Sequence, residues 1–156
     1  MKIEIGISDK YLELSTSILT VLLADEMTLY VKTRKFHWNV SGTNFMELHK
    51  LFQQQYTELE EMIDSIAERI SKLGGKAIGT MKEFVELSRL KESPNKYPSQ
   101  REMLKELLTD HDTVIMRLRK DIEDCSDKNN DAGTTDFLTA LIQQHETTAW
   151  ILRRSI

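Results

Sequence analysis

Apolar residues recur every three to four positions along most of this chain, which is the period of an amphipathic helix. A first apolar stripe begins after Ser8 or Asp9, either of which could cap a helix, and ends just before Ser41-Gly42. A second stripe follows that turn and stops at Gly74-Gly75, a pair typical of a helix C-terminus. The pattern therefore predicts two long helices that run antiparallel to each other.

Two further stripes occupy the second half of the chain. One starts near Ser99 and fades over Asp124–Lys128, and the other runs from about Thr134 to the end. The pattern is weaker over residues 76–98, where residues 81–90 could form a short helix. Four long helices with one long central connection are typical of the ferritin-like four-helix bundle. We therefore predict an all-α fold with a short helix in the central crossover.

Composition favours helix and a single domain. The chain has only 6 Gly and 2 Pro among 156 residues, and a domain of this size buries roughly two thirds of the surface of its unfolded chain. We expect one domain over residues 1–156. Cys125 is the single cysteine and cannot form an internal disulfide, and the N-terminus lacks the apolar run of a secretory signal, so we expect a cytoplasmic protein.

Charge and hydropathy limit the partners. The most apolar stretch, residues 18–24, is far shorter than the roughly 20 residues needed to cross a bilayer, so no membrane role is expected. The net charge of −4 should repel phosphate backbones and attract cations. Nucleic-acid binding is therefore not assumed.

Two histidines and two carboxylates are the candidate metal ligands. His37 closes the first predicted helix, His49 lies early in the second, and Asp64 and Glu68 lie four residues apart on one face further along it. Imidazole and carboxylate together suit iron and other first-row metals. His49 and Asp64 are separated by 15 positions, roughly 22 Å along a helix axis. They cannot bind the same ion within one chain.

Spacing alone leaves two interpretations open. If two copies pack their second helices antiparallel about a two-fold axis, the histidine end of one lies against the carboxylate end of the other, and two equivalent metal sites form. Alternatively, Asp64 and Glu68 are surface residues paired with Arg69 or Lys72, and His37 only caps a helix end.

The segment from Leu29 to Gly75 resembles the Dps family, the starvation-induced DNA-protecting mini-ferritins, in both residues and spacing. The matching positions are His37-Trp38, Val40, Gly42, Phe45, Leu48-His49, Phe52, Tyr56, Asp64, Ala67-Glu68-Arg69-Ile70 and Gly74-Gly75. The resemblance extends more weakly through DKNNDAGTTDFL and HETTAWILR and so covers nearly the whole chain.

The resemblance implies a hollow shell of twelve subunits, built from two-fold dimers, in the bacterial cytoplasm or nucleoid. Each dimer interface would carry ferroxidase centres, with His37 and His49 of one chain facing Asp64 and Glu68 of the other. Iron(II) would be oxidised there by hydrogen peroxide in preference to oxygen and stored as ferric mineral, which protects DNA from hydroxyl radicals. Zinc could compete with iron.

One position departs from the family pattern. The family usually has an acidic residue four positions after the second histidine, and this chain has Gln53 there. Because a neutral amide is a poorer iron ligand than a carboxylate, we expect a weak second iron position. In the family a tryptophan equivalent to Trp38 lies beside the iron and can quench radicals, although packing is the interpretation we favour here. Tyr30 and Tyr56 are interpreted mainly as core residues.

Three aspartates surround the start of the last predicted helix. By resemblance, Asp131 and Asp136, with Asp127 as a further candidate, line acidic pores on three-fold axes and admit iron. The alternative is that Asp136 lies in the first turn of the helix, where negative charge favours the helix dipole.

His111, His145 and Asp25 fall on the apolar stripes of their helices, where a hydrogen-bonded core network is the usual explanation. A metal site inside the bundle is not favoured, because the Glu-x-x-His pairs of classical ferritins are absent. The N-terminal tail balances Lys2 and Lys10 with acids, so direct DNA binding is not expected. The alternatives to an iron-oxidising store are a DNA-compacting shell with little ferroxidase activity and a non-catalytic helical dimer.

Overall fold

The computed structural model describes residues 3–128 and 130–156 and contains no β-strand in these ranges. Its helices are α1 (Asp9–Asn39), α2 (Phe45–Lys72), α3 (Met81–Leu87), α4 (Gln100–Glu123) and α5 (Ala132–Ser155), and a π-helical turn at Asp124–Lys128 follows α4. The predicted all-α, ferritin-like bundle with a short crossover helix is confirmed.

Local sequence explains three of the helix ends. α2 ends where Gly74 adopts a φ of +84°, a conformation that favours glycine, and the Gly75 N–H donates to the Ile70 carbonyl at 3.0 Å. α3 and α4 each begin with a capping box, formed by Thr80 with Glu83 and by Ser99 with Glu102. These reciprocal hydrogen bonds satisfy backbone N–H groups that the first helical turn leaves free.

The core lies between two antiparallel pairs, α1 with α2 and α4 with α5, and the crossover segment packs against α1. Leu19, Leu22, Leu29, Phe52 and Leu107 are fully buried there. α1 is long and apolar enough to meet the length and composition of a membrane span, which corrects the estimate made from residues 18–24. Half of its apolar window is buried inside the bundle, as expected of a core helix.

Buried ion pairs fix the crossover to α1. Asp25 is 1% exposed and accepts hydrogen bonds from the backbone N–H of Arg89 at 2.6 Å and from its Nε at 2.7 Å. Lys32 Nζ donates to the Lys91 carbonyl at 2.7 Å and to Asp110 Oδ2 at 2.6 Å. The predicted core network at Asp25 is thus confirmed. Because Ser88 is extended and bonds Asp25 as well, α3 ends at Leu87 rather than near residue 90.

Candidate metal centre

Two imidazoles stack where the last turn of α1 meets the start of α2. The ring centroids of His37 and His49 are 3.8 Å apart and the rings are inclined by 20°. His37 Nδ1 lies 2.8 Å from the His49 carbonyl oxygen, and His49 Nδ1 lies 2.9 Å from the His37 carbonyl oxygen. A carbonyl oxygen can only accept, so each Nδ1 carries a proton, and in the neutral ring each Nε2 keeps a lone pair. Both rings are therefore in the tautomer that binds metal through Nε2.

Aromatic rings hold this histidine pair in place. The Tyr56 ring packs edge-on against His37 with centroids 5.2 Å apart, and the Phe45 ring lies 5.2 Å from His49. His37 is only 8% exposed. The pair is therefore oriented before any ligand binds, which lowers the entropic cost of binding.

The two carboxylates lie elsewhere, on the exposed face of α2. Glu68 Oε2 accepts a hydrogen bond from Lys72 Nζ at 2.8 Å, and this bond, together with the charge of Lys72, lowers the pKa of Glu68. Among residues 3–128 and 130–156, no group of three or more His, Cys, Asp or Glu side chains could hold a metal ion. The histidine pair and the two carboxylates are thus separate within one chain, and the Glu68–Lys72 pair is also what the surface interpretation predicts.

Polar and aromatic side chains surround the histidine pair on the protein surface. Gln53 is exposed one turn after His49. Trp38 is 64% exposed, so within one chain it is not a core residue, and its ring lies 5.3 Å from the Arg34 guanidinium. The Tyr30 hydroxyl accepts a hydrogen bond from Arg34 Nη1 at 2.6 Å. An aromatic and cationic surface therefore adjoins the histidine pair.

Asp131 is buried, which argues against the pore role predicted for it. Its side chain is 1% exposed and caps α5, accepting from the Thr134 N–H at 2.9 Å and from Thr134 Oγ1 at 2.6 Å. Burial tends to raise the pKa of Asp131, but hydrogen bonds from Thr134 and Ser15 and the charge of Arg69 leave it below the ordinary value. Asp136 lies outside the first turn of α5, so the first-turn interpretation of that residue is wrong.

Asp127 and Asp136 are exposed, and pore lining stays a prediction for both.

The two histidines of the second helical pair meet in the core, as predicted. His111 Nδ1 and His145 Nδ1 lie 2.9 Å apart. Sequence reasoning missed their acidic neighbour, since His145 Nε2 lies 2.9 Å from Oε1 of Glu26, which is fully buried. The sequence does contain a signal that Glu26 is buried. It follows Leu22 by four residues and precedes Leu29 by three, so it lies on the same apolar stripe of the helix.

The all-helical bundle with a short helix in its crossover defines the class of protein, a ferritin-like four-helix bundle. A family model described as a ferritin-like domain matches residues 16–156. The DNA protection during starvation protein 2 of Bacillus anthracis is 36% identical over 137 residues, covering 87% of this chain and 92% of that protein. A low temperature-induced protein of Nostoc is 43% identical over 155 residues, covering 99% and 87%.

Solved structures that resemble this chain belong to the same family as its sequence relatives. The crystal structure of a Dps protein from Bacillus brevis is 32% identical, covers 95% of this chain and 98% of that one, and has a TM-score of 0.89. A Vibrio cholerae Dps, described as a member of a broad superfamily of ferritin-like diiron-carboxylate proteins, is 27% identical, covers 98% and 95%, and has a TM-score of 0.92. This chain belongs to the Dps family of ferritin-like proteins.

Proposed function

We propose that this protein oxidises iron(II) and stores the ferric product, with each oxidation site formed by two copies of the chain. The observation that carries the proposal is the reciprocal hydrogen bonding of His37 and His49 to each other's backbone, which leaves both Nε2 atoms available to a metal. A pair of histidines that only capped a helix end would have no need of this matched arrangement.

The surface around the histidine pair supports a second copy as the source of the missing carboxylates. Trp38, Phe45 and Met46 are 64%, 40% and 52% exposed and lie beside the pair in sequence. Exposed large apolar side chains grouped in this way are typical of a surface that another protein covers. A two-fold axis would place Asp64 and Glu68 of one copy against the histidines of the other. We propose that such dimers assemble into the twelve-subunit shell of the family.

The donor set suits iron(II) as substrate. Two neutral imidazoles and two carboxylates carry a total charge of −2, which balances one divalent cation without a buried excess. Two iron(II) ions each give one electron to one hydrogen peroxide, and with two protons the products are two iron(III) ions and two water molecules. Each hydrogen peroxide molecule thereby accepts two electrons and is reduced to water, so no hydroxyl radical is released. Oxygen is the alternative oxidant.

Protection of DNA would follow from this chemistry rather than from binding. The relatives are named for DNA protection during starvation, but this chain has a net charge of −4. We therefore propose a soluble cytoplasmic store that removes iron and peroxide. The rival is a DNA-compacting shell with little ferroxidase activity, and Gln53, which weakens the ligand set, is the observation in its favour. Zinc, which imidazole and carboxylate also bind, is a proposed competitor for the same ligands.

Stepwise addition of reagents tests the proposal. Iron(II) is added anaerobically to the assembled protein, hydrogen peroxide follows, and absorbance of the ferric product is recorded. We expect rapid oxidation in the wild type and in the control E61Q, which alters an exposed acid on the same helix, and at least a tenfold slower rate in D64N/E68Q. Oxidation at the protein-free rate in the wild type would exclude the ferroxidase, and equal rates in all three proteins would exclude this site.

A further inference from the structure

A carboxylate and two imidazoles meet in the middle of the bundle, apart from the histidine half-site. Glu26 of α1, His111 of α4 and His145 of α5 are 0%, 1% and 0% exposed. His145 Nε2 lies 2.9 Å from Glu26 Oε1, and His145 Nδ1 lies 2.9 Å from His111 Nδ1. Three different helices thus bring together the side chains that metal sites of helical bundles commonly use.

Most polar atoms of this cluster have no hydrogen bond. Both carboxylate oxygens of Glu26, His145 Nε2 and His111 Nε2 are buried without a hydrogen-bond partner among the described residues. The separation between Glu26 and His145 is short enough for a hydrogen bond, so it is the alignment of the atoms that fails. Burial of a carboxylate without aligned donors costs several kcal/mol, and a positive charge at this point would offset that cost.

A cation shared by Glu26 and His145 meets this need. In an octahedral site with bonds of about 2.1 Å, neighbouring donor atoms lie roughly 3.0 Å apart and point towards the ion rather than towards each other. The 2.9 Å separation and the missing alignment both fit this arrangement. Carboxylate oxygen with imidazole nitrogen is the ligand chemistry of first-row divalent cations.

His111 supplies the outer contact that such a site requires. When His145 binds through Nε2, its proton must lie on Nδ1, where it can be donated to His111 Nδ1. His111 is 1% exposed and its Nδ1 faces His145 Nδ1 at 2.9 Å, so a neutral His111 can accept this bond. An outer hydrogen bond of this kind fixes the tautomer and orientation of a ligating histidine.

We propose that Glu26 and His145 bind one first-row divalent cation inside each bundle, with His111 as the outer hydrogen-bond partner. The site has only two protein ligands, Glu26 and His145, and no third His, Cys, Asp or Glu among the described residues completes it. It should therefore bind more weakly than the centre proposed between subunits. Because all its residues come from one chain, it does not rest on the proposed ferroxidase function. The sequence analysis did not favour a metal site inside the bundle, because Glu26 belongs to no Glu-x-x-His pair.

Cobalt(II) binding tests the internal site. The assembled D64N/E68Q protein, in which the intersubunit centre is disabled, is incubated with Co²⁺ for hours to days, because a buried site exchanges slowly. Bound metal is counted after gel filtration and its visible spectrum recorded. We expect about one Co²⁺ per chain to remain, and to be lost when E26Q or H145Q is added. H111Q should weaken binding by roughly 10-fold to 100-fold.

Controls separate loss of ligand from loss of fold. E13Q removes an exposed acid from the same helix and should leave Co²⁺ binding unchanged. E26Q should raise the Tm of the metal-free protein, because it removes a buried charge, and should abolish the further rise that Co²⁺ gives the parent. Binding of Co²⁺ by the E26Q and H145Q proteins at the level of their parent would overturn the proposal. So would the absence of bound Co²⁺ in D64N/E68Q, whatever the outcome of the ferroxidase assay.

Discussion

Replacement of Asp131 by alanine should destabilise the protein by about 2–4 kcal/mol, because several interactions are lost together. Loss of an N-cap side chain costs roughly 0.5–2 kcal/mol, and the buried Thr134 N–H and hydroxyl that bond Asp131 would each lose their partner, at about 1–3 kcal/mol per unsatisfied group. The contact with Arg69, at 3.4 Å and partly exposed, adds little. Because the three contributions overlap, the expected loss of stability is smaller than their sum.

The pH dependence of the effect identifies its cause. The pKa of Asp131 is lowered in the folded protein, so the carboxylate stabilises the fold above the ordinary aspartate pKa. That stabilisation is lost as the pH falls through the lowered folded pKa. The difference in unfolding free energy between wild type and D131N should therefore be largest near neutral pH and should shrink in acid below about pH 4.

Urea unfolding at a series of pH values measures this difference. D136N, which alters an exposed aspartate five residues later, is the matched control and should unfold like the wild type. A D131A protein as stable as the wild type at pH 7 would refute the capping role. So would a D131N effect that grows as the pH is lowered.

Three further predictions concern iron. Gln53→Glu should tighten iron(II) binding by about tenfold or more, because it restores a charged ligand, and unchanged affinity and stoichiometry in an anaerobic titration would contradict this. D127N/D136N should slow iron uptake several-fold at low ionic strength while light scattering shows an intact shell, whereas equal uptake would remove both residues from the pore. Lys72→Met should strengthen metal binding at Glu68 about two- to threefold by removing a competing cation, and a weaker site would show that the lysine has another role.

The helices could be predicted from the sequence because their ends carry explicit signals. Gly74 stops α2, and Ser99 starts α4 with a capping box. The last helix is instructive, because a predicted start near Thr134 assigned Asp136 to the first turn. The structure begins α5 at Ala132 and makes Asp131 the cap. A two-residue difference at one helix end thus placed Asp131, rather than Asp136, at the start of the helix.

The candidate site was less predictable than the fold. Spacing identified His37 and His49 as ligand types, but their mutual backbone hydrogen bonds depend on how the connection at residues 40–44 turns, and no pattern of residue types encodes that geometry. Glu26 was missed because an acid on an apolar stripe is usually assigned to the helix surface. The packing of α4 and α5 against α1 shows which groups this buried side chain meets.

Complementation between two inactive proteins tests the central claim, that each metal centre is shared by two copies. H37A/H49A chains lack the histidine half-site and D64N/E68Q chains lack the carboxylate half-site. Each mixed dimer then combines the intact histidines of one chain with the intact carboxylates of the other, and so contains one complete centre. Random mixing after disassembly should recover about a quarter of the wild-type peroxide-dependent iron oxidation. Activity that stays at the level of the separate variants, although mass spectrometry shows mixed oligomers, would contradict the account.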